Sequence, residues 1–420
     1  MSDLRQQILD RVETLKGEAI DFFQNFTRID TSNPPGNTEA GAAFIARFLD
    51  KHGLAHRVIA PQPTMPNILA STKFGGAGRH LVLNGHIDVF PAGDATRWSR
   101  DPWSGDIVDG AVFGRGTADM KCGTTASVFT YLLLHGMRDQ LKGRLTLTAV
   151  SDEETGGRWG TGYLIEHHAE EVLGDCVLNG EPSSPWTVRF AEKSPIWFRF
   201  RVRTPGAHSA YPHVSASATK IAARLMLDLE ALETLEPRPP ESVTRILGTP
   251  EALAGIERGL GKGAMRSATR VTVNFGIIQG GVKVNMLPGD CMIEADIRMP
   301  VGIVTSEIRA AVNRILERYP EVTAEELIQP PCEPSCSTPD HEMLRLIQDN
   351  AERLSGYRPA PIVTLGGTDC RFWRQKGIPA YVYGCSPGRM SAPDESVTID
   401  EFMHVLKTHA LSAGQYLSIA

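Results

Sequence analysis

No uninterrupted apolar run in these 420 residues is long enough to span a bilayer, so no membrane association is expected. The opening Met1-Ser-Asp-Leu-Arg-Gln-Gln lacks the charged-then-apolar order of a secretory signal. Cysteine is scarce: the seven residues (122, 176, 291, 332, 336, 370 and 385) are odd in number and follow no disulfide-framework spacing. A reducing, cytoplasmic setting is the expectation. Cys332 and Cys336 have no second pair to complete a zinc clip, and their segment is rich in proline. Positive charge is not in excess either. Lys and Arg number 43 against 49 Asp and Glu, giving a net charge of −6, so nucleic acid is not an expected partner.

What is present describes an ordinary globular chain, 41% hydrophobic and 22% charged, long enough for two domains with separate cores. Leu4, Ile8, Val12, Leu15, Ile20 and Phe23 recur at helical spacing over residues 3–28. The breaker Thr31-Ser-Asn-Pro-Pro-Gly precedes a second helix from Glu39. Short apolar strands then alternate with Gly-rich turns, and Asp119-Met-Lys-Cys opens a long helix running to about residue 134.

The stretch Leu81-Val-Leu-Asn-Gly-His86-Ile-Asp88-Val reads as a buried parallel strand whose carboxyl end presents chemistry. Positions i and i+2 of a strand face one side, so His86 and Asp88 can act together, as a metal ligand and the acid that fixes its ring. Asp119 follows His86 by 33 residues, Glu154 follows Asp119 by 35, and Glu181 follows Glu154 by 27. One strand–helix unit takes about 30 residues, so acids at this interval converge on one sheet edge. A solvated acidic loop explains any one of them. Three acids in Gly-rich turns beside a histidine point to a metal. Gly114-Arg-Gly116-Thr-Ala-Asp119 only mimics a dinucleotide fingerprint, because Asp119 replaces the third glycine and would repel a pyrophosphate.

Near residue 190 the pattern changes. Ile196-Trp-Phe-Arg-Phe-Arg-Val-Arg alternates apolar and basic residues, as a strand with one wet face does. A helix at 216–235, strands at 270–278 and 291–298, and a helix at 305–319 complete a split βαβ pattern. The expectation is a mixed, mostly parallel α/β sheet flanked by helices over residues 1–191 and 334–420. A ferredoxin-like α+β domain over 192–333 is inserted into it.

Gly85-His86-Ile-Asp88, Gly114 to Lys121, Asp152-Glu153-Glu154-Thr-Gly, Gly180-Glu181-Pro182, Gly206-Ala-His208-Ser, Val284-Asn285-Met-Leu-Pro and Gly366-Gly367-Thr368-Asp369 occur in order along the chain. In these motifs the sequence resembles the cocatalytic zinc family of aminoacylases, acetylornithine deacetylase, succinyl-diaminopimelate desuccinylase and glutamate carboxypeptidase. The resemblance implies that His86 and Glu181 hold one metal, Glu154 another, and that Asp119 bridges them. Zn²⁺, or another divalent ion such as Mn²⁺ or Co²⁺, is the implied cofactor. It also implies Glu153 as general base for a metal-activated water and Asp88 as the residue that orients His86. His208 would stabilise an oxyanion in the other subunit of a homodimer formed through the inserted domain. Asn285 and Arg298 would contact a substrate carboxylate from that lid, and Gly367 would border the substrate.

One position departs from the family. Its last metal ligand is a His in a His-x-x-x-Glu stretch, and here that stretch reads Ser391-Ala-Pro-Asp-Glu395. A neutral hydroxyl is a poor zinc ligand, and the thioether of Met390 is too soft for a carboxylate site. The second position therefore keeps only Asp119 and Glu154. His404 and His409 are near in sequence but are read as part of a surface helix. The expected activity is hydrolysis of a C–N bond in a small anionic substrate, of deacylase or carboxypeptidase type. The alternatives are a one-metal aromatic aminohydrolase, with Arg371 and Arg389 holding a carboxylate or nitro group, and a relative that binds without turnover.

Overall fold

Leu81-Val-Leu, Leu145-Thr-Leu and Cys176-Val-Leu each become a central strand of one nine-stranded sheet. The computed structural model describes residues 2–327 and 332–418. Strands β1 (His56–Ile59), β2 (Asn67–Lys73), β3 (His80–His86), β4 (Arg144–Val150), β5 (Cys176–Asn179) and β6 (Thr187–Glu192) belong to this sheet. After it the chain enters a second sheet with β7 (Ser194–Arg203), β8 (Thr272–Gly280), β9 (Asp290–Met299) and β10 (Val322–Glu326). It returns to the first with β11 (Ser335–Cys336), β12 (Ala360–Thr364) and β13 (Ala380–Val382). The large sheet is ordered β1-β2-β4-β3-β5-β13-β6-β11, with β12 also pairing β6. Pairings β4–β3, β3–β5 and β5–β13 are parallel. The expected mixed, mostly parallel α/β architecture is what forms.

Both faces of the central strands are covered, which is why they carry apolar residues without alternation. Leu81 and Leu83 enter the main core with helices Ser2–Thr27, Cys122–His135 and Ile399–Ser418, whereas Val82 faces a smaller core built around Trp373. The last of these helices differs from the expected surface helix. His409 is fully buried and bonds the Tyr383 carbonyl through Nε2 at 2.6 Å. His404 Nε2 lies 2.6 Å from the Tyr383 hydroxyl. The helix spans the main core, so its apolar residues are distributed around more than one face.

The second sheet, ordered β8-β9-β7-β10, is antiparallel throughout. Ile196, Phe198, Phe200 and Val202 of β7 point into its own core, covered by helices Ala218–Leu229 and Thr305–Leu316, while Arg199, Arg201 and Arg203 face out. A single residue, Lys193, separates β6 in one sheet from β7 in the other. The expected insert of residues 192–333 is not uniform. Helices Glu241–Leu247, Pro250–Leu260 and Ala264–Thr269 bury Val243, Ile256, Ala264 and Ala268 in the main core instead. Among the described residues no helix is long and apolar enough to cross a membrane, and all seven cysteines are free.

Lys121 ties the catalytic-side turn to the first helix. Its buried ammonium donates to the carbonyls of Phe26 (3.0 Å) and Ile29 (2.6 Å), beside the rings of Phe26 and Trp103. Lys121→Met fills similar volume but leaves two buried carbonyls without a donor. Denaturant titration is expected to show a loss of about 2–4 kcal/mol; unchanged stability would mean that water replaces the ammonium.

Candidate metal centre

A polar ladder crosses the three central strands just below their carboxyl ends. Asn84 of β3 stands opposite Thr148 of β4 and Asn179 of β5. Asn179 Nδ2 donates to Asn84 Oδ1 at 2.6 Å, and Asn84 Nδ2 donates to Thr148 Oγ1 at 3.2 Å. Asn179 Oδ1 then accepts the backbone N–H of Glu181 at 2.8 Å. The ladder fixes the strand register, and with it His86 beyond Asn84 and Glu181 beyond Asn179. Asp119 arrives from the turn before helix Cys122–His135, which packs so closely that a Cβ on Gly123 would meet the Gly180 carbonyl oxygen at 2.0 Å. Only glycine permits that approach.

His86, Asp119 and Glu181 converge, their ligand atoms all within 4.8 Å of one another. His86 Nε2 lies 3.1 Å from Asp119 Oδ1 and 3.3 Å from Glu181 Oε1. The Nδ1 of the same ring lies 2.7 Å from the carbonyl oxygen of Asp88, which accepts from it. That carbonyl, not the Asp88 carboxylate expected from the sequence, sets the ring. The nearer carboxylate oxygen stands at 3.7 Å. The Asp88 carboxylate instead organises the next turn: it accepts from Asn33 Nδ2 (2.9 Å) and from the amides of Glu153 (3.3 Å) and Glu154 (3.1 Å).

The electrostatics ask for a cation. Burial opposes charge on His86, yet Glu181 and Asp119 hold its pKa well above the ordinary value. Burial, then repulsion from Asp119, pushes Glu181 up to about 8, and the same two causes raise Glu154. Burial lifts Asp88 to about 6. One imidazole nitrogen and two carboxylates aimed at one point, in a site short of positive charge, fit a divalent metal by donor type. Glu154 is half-buried, and its Oε1 has no hydrogen-bond partner.

No donor completes that second position among the described residues. Ser391 is exposed, in left-handed backbone at φ 61°, and its carbonyl accepts from Arg115 at 3.1 Å. His404 and His409 are committed to Tyr383. Glu153 lies on the turn fixed by Asp88, and its Oε1 accepts from Arg371 Nη1 at 3.2 Å. Arg371 is therefore a partner of Glu153. Arg389 is mostly exposed and turned toward Asp394 at 3.5 Å, away from the cavity it was expected to serve.

Gly367 does border a cavity of about 420 Å³ that contains Asp119 and Glu181, together with Arg189, Thr364, Thr368, Gly388 and Met390. His208, Asn285 and Arg298 lie elsewhere. His208 Nε2 is 3.4 Å from Asn285 Nδ2, and His208 borders a different cavity of about 620 Å³. Arg298 Nε donates to Asp296 at 3.0 Å. Within one chain these three do not meet the His86 cluster.

Two residues of the site were not anticipated. Glu395 accepts the amides of Ala118 (2.9 Å) and Asp119 (3.3 Å) and pairs with buried Arg115, so it holds the Asp119 turn. Its place at the end of the departing His-x-x-x-Glu stretch was the signal. Arg189 was legible only as one cation within the otherwise buried strand β6.

The family model described as Peptidase family M20/M25/M40 matches residues 82–414. A succinyl-diaminopimelate desuccinylase of Cereibacter sphaeroides is 30% identical over 376 residues, covering 86% of each chain. Among solved structures, an M20 family metallo-carboxypeptidase from Sulfolobus solfataricus superposes with a TM-score of 0.79 at 16% identity, over 96% of this chain and 99% of that one. Human carnosine dipeptidase 1 superposes with a TM-score of 0.75 at 15% identity, over 98% and 99%. The chain belongs to peptidase family M20/M25/M40.

Proposed function

We propose that this C–N hydrolase is a metal-dependent amidohydrolase of deacylase or carboxypeptidase type, acting on a small anionic substrate. The convergence of His86, Asp119 and Glu181 beside a turn that presents Glu153 carries this reading. These three residues would hold the ion, Zn²⁺ being the expected one. A bound divalent ion lowers the pKa of a water to about 7 and polarises a carbonyl. Glu153, oriented by Arg371 and by the hydrogen bond that its backbone N–H donates to Asp88, takes the proton from the attacking water and delivers it to the leaving nitrogen. The similarity to a desuccinylase over most of both chains supports an N-acyl substrate.

His208, Asn285 and Arg298 are proposed to serve a neighbouring subunit's site. Their distance from their own His86 cluster supports this, as does strand β8, an outer strand of its sheet with Ile277 and Ile278 exposed. A second reading rests on Ser391. With one position of three donors and no partner ligand, the site also suits a single-ion aminohydrolase that releases ammonia from an electron-poor aromatic amine. A cytoplasmic setting accompanies either reading as part of the proposal.

Glu153→Gln is expected to lower kcat by about 10²–10⁴-fold while leaving metal content unchanged. Retained turnover would remove Glu153 as base. A panel of N-acyl amino acids, dipeptides and aromatic amines, read by amine or ammonia release, separates the two chemistries. Metal analysis after dialysis should find one firmly held ion per chain, rising to two in Ser391→His, since histidine tolerates the left-handed conformation there. Two firm ions in the unaltered protein would overturn the one-position assignment. Mixing Glu153→Gln with His208→Ala under subunit exchange should give more activity than either variant alone. No gain would place His208 in its own chain's site.

A further inference from the structure

Three arginines are buried among the described residues: Arg115, Arg189 and Arg374. Arg115 pairs with Glu395, and Arg374 lies 3.1 Å from Glu192. Arg189 is only 7% exposed, and among the described residues it has no ion pair and its Nε–H finds no acceptor. A guanidinium keeps its charge at any ordinary pH, and leaving one unpaired in the interior costs several kcal/mol. The cost points to a partner supplied from outside the chain.

The sheet positions this side chain. Arg189 stands on β6 opposite Ile362 of β12, immediately before a shift in register, and opposite Val382 of β13, where β13 makes its single antiparallel bridge to β6. Strand direction changes at this point. The guanidinium borders the cavity that also contains Asp119, Glu181 and Gly367. Glu181 and Asp119 act on it through space, but burial outweighs them and lowers its pKa. Once those two carboxylates hold a metal ion, as the proposed function has it, their charge is committed and Arg189 is left unbalanced.

We propose that Arg189 is a specificity-determining residue of this cavity, receiving a carboxylate of the substrate on the main-sheet wall through its two-pronged guanidinium. This carboxylate site belongs to the chain that holds the metal. It is separate from Asn285 and Arg298, and it needs no second subunit. Arg371 is already engaged, its Nη1 donating to Glu153 Oε1 and to the Thr368 carbonyl. The assignment rests on the hydrolase reading for the charge state of Glu181 and Asp119, and on the unpaired guanidinium for the rest.

The test is calorimetric titration of the metal-loaded full-length protein with succinate and with succinamate, which replaces one carboxylate by a neutral amide. The unaltered protein should prefer succinate. Arg189→Gln should weaken succinate about 10- to 100-fold and succinamate less than about twofold. Arg189→Lys should recover part of the preference, with metal content unchanged in both variants and the ligand-free Tm of Arg189→Gln raised rather than lowered. Equal affinities in the unaltered protein, or an equal loss for both ligands, would overturn the assignment. Metal loss from Arg189→Gln would also overturn it and make Arg189 a positioning residue for Glu181. Preference for succinate without turnover of any C–N substrate would remove the hydrolase reading and leave Arg189 standing. Turnover without that preference would do the reverse.

Discussion

The crowding of carboxylates around one imidazole is the constraint on which the rest of this structure depends. Burial and mutual repulsion push Asp88 to about 6, Asp369 to about 7 and Glu181 to about 8. Such a cluster persists only where the surrounding chain supplies compensation. Asp88 receives two backbone amides and an asparagine. Glu395 receives two amides and Arg115, and Glu192 receives Arg374 and Thr368. Asp119, Glu154 and Glu181 receive no such set, and the deficit is the electrostatic form of a metal site.

The convergence of His86, Asp119 and Glu181 was legible in sequence because one strand–helix unit takes about 30 residues, and acids at that interval have few other reasons to recur. The role of Asp88 was legible, its atom was not: a carbonyl and a carboxylate of the same residue lie at 2.7 and 3.7 Å from one nitrogen. Arg189 escaped because a lone basic residue in a short strand has the same appearance at a sheet edge as at a cavity wall. The helices over residues 241–269 show the same limit. Their apolar faces announce that something covers them, yet whether the main or the inserted sheet does so is a matter of tertiary path. His404 and His409 were assigned to the surface because a helix wrapped on several sides loses its polar face.

Glu192 and Lys193 join the two sheets with no linker between them. Glu192 accepts from Thr368 Oγ1 at 2.8 Å, in the loop that carries Gly367 and leads into the short helix of Arg371. The ammonium of Lys193 donates to the carbonyls of Ser267 and Arg270, both at 2.7 Å, where the chain enters β8. One residue thus grips the loop beside the cavity and the next grips the inserted sheet. The site and the inserted sheet are mechanically adjacent although their cores are separate.

The asparagine ladder also explains what kind of change this site tolerates. His86 and Glu181 inherit their positions from the pairing of β3, β4 and β5, so an alteration at Asn84 or Asn179 displaces both together. Ser391 lies on a loop outside that pairing, anchored through its own carbonyl. A donor can be lost there without disturbing the others. The surroundings of the cluster are therefore held in two ways: His86 and Glu181 by the register of the sheet, and Ser391 by a loop whose side chains can change while that register stays the same.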